Sequence, residues 1–105
     1  MGFLSTNLDA FGRSLGRLDA VLDEHRPLDK KTDELLRFSL SIKARSRPCV
    51  RKHFRGAIDA GASSKEIAYV FALTMREAAG ADDCWTHDVI GDLVDGDAEQ
   101  SCGCG

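Results

Sequence analysis

The sequence predicts an all-α domain of about five helices that works as an oligomer. Apolar residues recur at helical spacing in each segment. Helix start and stop signals divide those segments at Asp29, at Ser46 with Pro48, at Gly61 and at Ser63-x-x-Glu66. One segment, Ile67 to Leu73, is apolar all round, and a chain of 105 residues has only a modest core in which to bury it. Its burial then falls to neighbouring copies of the chain.

The first helix is expected over residues 3–24. Phe3, Leu4, Leu8, Phe11, Leu15, Leu18, Val21 and Leu22 form one apolar stripe, and His25 and Pro27 end it. Gly12 and Gly16 weaken the segment by roughly 1 kcal/mol each and are read as tolerated. Asp29 caps the second helix, whose Leu35, Leu36, Phe38, Leu40 and Ile42 cover much of its circumference and make it central. Pro48 suits the first turn of the third helix, where a missing amide hydrogen costs nothing, and Ser46 is the better cap. That helix runs through Val50, Phe54, Ala57 and Ile58 and stops at Gly61, a residue suited to a left-handed terminus. Ser63 and Glu66 make a capping box for a fourth helix from Ser64 to about Ala79, with Tyr69 and Met75 in its core. A break at Gly80 and caps at Asp82 and Asp83 introduce a fifth helix, Cys84 to about Val94, with Trp85, Val89, Ile90 and Leu93 on one side. Residues 1–95 thus read as one helical domain and 96–105 as a flexible, cysteine-containing tail.

Composition narrows the function. An apolar fraction of 43% fits a globular chain rather than a disordered one. The net charge of −3 argues against a nucleic-acid partner, although Lys43, Arg45, Arg47, Arg51, Lys52 and Arg55 form a local basic cluster. That cluster reads either as a solvated face or as a setting that favours a thiolate nearby. No apolar run is long enough to span a bilayer, and the N-terminus is polar by Ser5, unlike a secretory signal. A cytoplasmic location follows as the expectation, where thiols stay reduced unless they are redox-active.

The chemistry gathers between Glu34 and His53. Cys49 and His53 lie four apart and share a helix face. A thiol near a helix N-terminus beside an imidazole is suited to reactive-thiolate chemistry. Glu34, on the preceding helix, is placed for a hairpin to bring its carboxylate to that imidazole, giving a Glu-His-Cys relay. The bland alternative is a buried structural cysteine and a solvated glutamate. A second feature is the tail pair Cys102-Gly103-Cys104, suited to dithiol chemistry or to a soft metal. Cys84 and His87, three apart, could complete a metal site with those two thiols, but the spacing is not a recognised zinc pattern.

Glu34, then Cys49 fifteen positions on, then His53 four beyond resembles the signature of the AhpD-like, carboxymuconolactone decarboxylase superfamily. That signature is a Glu, a Cys-x-x-Cys and a His four beyond the second Cys. The Ala57–Ile67 stretch is similar too, with its helix, Ala-Gly-Ala turn and next helix start, so the resemblance spans about Leu28 to Ala81. In that family the second Cys is the one implied to attack peroxide, and Cys49 retains it. The first, implied to resolve by disulfide, is Ser46 here, and Pro48 replaces a His found in AhpD itself. The resemblance implies trimers, or hexamers built from dimers. It also implies a peroxiredoxin-type alkylhydroperoxidase with catalytic Cys49, His53 and Glu34, no cofactor, a hydroperoxide substrate and a thiol reductant protein as partner. The tail cysteines Cys102 and Cys104 are read either as incidental residues of a mobile tail or as resolving thiols that replace position 46. The alternatives are a silent scaffold and a thiol- or metal-binding redox sensor. Carboxymuconolactone decarboxylation is disfavoured, because a thiol relay has no evident use in protonating a dienolate.

Overall fold

Turn chemistry sets the path of the chain. The computed structural model describes residues 2–94, which form five helices and no strand: α1 (Phe3–Asn7), α2 (Asp9–Glu24), α3 (Lys30–Lys43), α4 (Arg47–Asp59) and α5 (Ser64–Val94). The all-α expectation holds for these residues. The tail cysteines Cys102 and Cys104 lie outside them.

Asp29 caps α3 as expected, its carboxylate accepting from the Thr32 amide at 2.8 Å. At the other end Arg45 turns left-handed (φ 57°). The Arg45 amide then donates to Ile42 O at 3.0 Å and the Ser46 amide to Ser41 O at 3.1 Å. This paired closure satisfies carbonyls that the last helical turn would otherwise leave bare. Ser46 at once caps α4, its Oγ accepting from the Cys49 amide at 3.4 Å. One residue closes α3 and opens α4, so the two helices fold back on each other and share the most extensive contact in the chain. α4 ends by the same device at Gly61 (φ 99°), with Ala62 donating to Ala57 O at 2.8 Å. The capping box of α5 forms in both directions, Glu66 N to Ser63 Oγ and Ser63 N to Glu66 Oε1. The small core where α3, α4 and α5 meet is Phe38, Ala57, Ala62 and Ile67, backed by Leu35, Ile42, Val50 and Val70.

Two elements differ from the periodicity. The lead helix breaks at Leu8 (φ −138°, ψ 71°), and α1 folds back on α2. Gly12 permits this: a Cβ there would lie 2.8 Å from Ser5 Oγ, whereas one at Gly16 would meet nothing. The apolar spacing fits one helix or two, so it could not reveal the break. Conversely, α5 runs without interruption through Gly80, Asp82 and Asp83 for 31 residues. A glycine stops a helix when it turns left-handed, and among the described glycines only Gly61 does so. Between Ala79 and Ala81, Gly80 costs about 1 kcal/mol and the helix continues. One split and one merger leave the count at five. Tyr69 and Met75 are exposed in the single chain, not in its core.

The chain is open in shape. Its radius of gyration is 18.5 Å, against about 13 Å for a compact domain of this length. Among the helices α2 packs on α1 alone, tethered to α3 by an Arg37–Asp19 ion pair at 3.7 Å. Phe11, Leu15, Leu18, Val21 and Leu22 on α2 are 46–56% exposed. No helix among the described residues is long and apolar enough to cross a membrane.

Candidate active site

The α3–α4 hairpin brings a carboxylate to an imidazole inside the fold. Glu34 Oε2 lies 2.8 Å from His53 Nδ1, and the two residues are only 7% and 8% exposed. The other carboxylate oxygen, Oε1, meets Lys30 Nζ at 3.2 Å. Burial pushes the Glu34 carboxyl up, but the hydrogen bonds and charges of His53 and Lys30 together outweigh it and hold the group below its ordinary 4.5. Glu34 is therefore an anion at neutral pH and can only accept. The proton on that bond belongs to His53 Nδ1, which leaves Nε2 as the basic nitrogen of the neutral ring.

Cys49 is the third residue of α4, a free and exposed thiol. No hydrogen bond joins its Sγ to His53 among the described residues. Instead Cys49 and His53 line one open recess of about 230 Å³, walled by Leu40, Ser41, Ala44 and Ser46. The recess is roomy enough to hold water. Cys49 lies in the first turn of α4, where free amides carry partial positive charge, and the sequence holds no carboxylate from residue 35 to residue 58. Ser46 contributes its cap to this arrangement and no thiol.

The sequence profile of the carboxymuconolactone decarboxylase family matches residues 9–87, three quarters of the chain. The chain belongs to that family. No curated protein and no solved structure matches it significantly. The matched span of this carboxymuconolactone decarboxylase family chain contains Glu34, Cys49 and His53, the whole α3–α4 hairpin and most of α5.

Sequence reasoning missed two residues of the family chain's site. Gly56, one turn beyond His53, gives Glu34 its place: a Cβ built there would lie 2.3 Å from Glu34 Oε2 and 2.6 Å from its Cδ. Its signal was a glycine in a helix interior, where the residue is costly without a reason. Lys30 lies four before Glu34, a spacing that puts both on one helix face. The remaining candidates lie elsewhere. Cys84 and His87 sit three apart on α5, while Cys102 and Cys104 fall outside the described residues. No group of three or more His, Cys, Asp or Glu among the described residues is arranged to hold a metal.

Proposed function

We propose that this family member reduces hydroperoxides through the thiol of Cys49, with His53 as its base and Glu34 orienting that base. The observation that carries this reading is the buried 2.8 Å Glu34–His53 hydrogen bond opening on the recess that Cys49 lines. His53 Nε2 takes the Cys49 proton through water, and Glu34 stabilises the imidazolium that results. The thiolate attacks the terminal peroxide oxygen, the O–O bond breaks, and the leaving alkoxide takes the proton back from His53. Thiol and hydroperoxide have then become sulfenic acid and alcohol. Cys102 or Cys104 condenses with the sulfenic acid, water leaves, and a dithiol protein reduces the disulfide. No step requires a cofactor. Decarboxylation, the activity in the family's name, is not favoured, since a thiol has no place in protonating a dienolate.

A scaffold without turnover is the second reading. It is favoured by Ser46 standing at the first-cysteine position and by the lack of a Cys49–His53 hydrogen bond. Cys49 alkylation followed against pH by mass spectrometry separates the two. For the enzyme, His53→Ala and Glu34→Gln slow alkylation at pH 7 and shift its profile to higher pH. Peroxide turnover falls on the order of 10²-fold in each variant. A profile that ignores both substitutions establishes the scaffold.

A further inference from the structure

The basic cluster is exposed, and its setting is lopsided in charge. From residue 35 to residue 58 the sequence holds seven cations and no carboxylate, in a chain of net charge −3. Arg37 in this span pairs with Asp33 and Asp19, as Arg13 and Arg26 pair with aspartates elsewhere. Arg45, Arg47, Arg51 and Arg55 make no ion pair among the described residues.

Their placement is specific. Arg47, Arg51 and Arg55 recur every four residues along one side of α4, about 12 Å of helix. Arg47 and Arg51 border an apolar groove of about 480 Å³ with Phe38, Ile42, Val50 and Phe71 in its lining. A second recess shares Phe38, Val50 and Arg51 with it and extends it to Phe54 and Arg55. Arg45, also in the lining, occupies the left-handed position closing α3, which costs an L-residue roughly 1–2 kcal/mol and glycine far less. The groove reaches Ser46, which also walls the Cys49 recess.

We propose that this groove binds a long-chain carboxylate, the hydrocarbon lying on the phenylalanines and the anion held by the α4 arginines. Guanidinium pairs with carboxylate through two parallel hydrogen bonds, and unpaired arginines beside half-exposed aromatic rings call for a ligand that is both anionic and apolar. The volume is that of a small-molecule site, in the range of about 300–1,000 Å³. Resting on the peroxidase reading above, the substrate class becomes hydroperoxides of fatty acids, delivered to Cys49 past Ser46.

The test is calorimetric titration of the intact protein with dodecanoate, which cannot react, in wild type and Cys49→Ser alike. Saturable binding is expected, weakened roughly tenfold or more by Arg51→Ala and by Arg47→Ala with unchanged thermal stability, and only partly by Arg51→Lys. Dodecanol should bind far more weakly. With turnover as readout, Arg51→Ala raises KM for linoleate hydroperoxide and leaves tert-butyl hydroperoxide unaffected. The proposal is overturned if dodecanoate does not bind, if its binding ignores both arginines, or if cross-linking places Arg51 against a second copy that excludes the ligand. Dodecanoate binding without any peroxide turnover keeps the groove and removes the Cys49 chemistry. Turnover of tert-butyl hydroperoxide without dodecanoate binding does the reverse.

Discussion

A methyl group at Gly56 and the Glu34 carboxylate cannot share the space they would both need, because the added Cβ would stand 2.3 Å from Oε2. Glu34 has nowhere to retreat without leaving Nδ1 of His53, since Lys30 holds its other oxygen and the residue is buried. Gly56→Ala is therefore expected to act as a Glu34 variant. It should slow Cys49 alkylation at pH 7, shift the His53 tautomer away from the Nδ1–H form in nitrogen NMR, and cost about 1–3 kcal/mol of stability. In a Glu34→Ala background the same change should do little further, because the carboxylate it displaces is gone. A wild-type tautomer in Gly56→Ala would show that the carboxylate has another route to the ring. The same contact predicts an acid response. The folded Glu34 carboxyl titrates below its ordinary 4.5, so its contribution is complete at neutral pH and is lost as pH falls through the folded value. Melting temperatures taken from pH 6 down to pH 3 should fall more steeply in wild type than in Glu34→Gln. Parallel curves would place the acid sensitivity in other groups.

At the scale of the elements, what was legible in the sequence was whatever a local backbone group imposes. Asp29, Ser46, Gly61 and the Ser63–Glu66 box each satisfy amides or carbonyls within a few residues, and each forms as its residue type dictates. The Glu34–His53 meeting was legible for a related reason. A short hairpin turn leaves little freedom in how two helices face each other, and the family signature marked which residues matter. The misses are contacts between elements. The break at Leu8 depends on Ser5 meeting Gly12, and the uninterrupted α5 depends on Gly80 not turning left-handed. Periodicity is blind to both, because apolar spacing says which face is buried and not where a helix bends. Gly56 was hidden similarly, since its role exists only once α3 lies on α4. Arg45 is the local exception: nothing in its type foretells a left-handed residue, and the Schellman closure of α3 imposes it.

For the whole molecule the deciding quantity is apolar surface left in water. Among the described residues only Phe38, Ala57, Ala62 and Ile67 are buried as apolar core, while α2 and the second half of α5 present Leu15, Leu18, Leu22, Trp85, Ile90 and Leu93 about half-exposed or more. Each such side chain contributes roughly 1.5–3 kcal/mol when it is fully buried, so a few of them outweigh the loss of freedom on association. Soluble monomers rarely leave so many large apolar side chains in water. The prediction is a homo-oligomer, read as a multiple of 11.4 kDa by light scattering. Because α2 packs on α1 alone, its stripe can be changed without opening the α3–α4–α5 core. Leu15→Lys combined with Leu22→Lys is expected to lower the mass to a smaller species that stays helical and keeps the Glu34–His53 bond. An unchanged mass would move the interface to α5, where Trp85→Lys with Leu93→Lys repeats the experiment. A single-chain mass for wild type would mean that these faces are covered in some other way, and the oligomer would be abandoned.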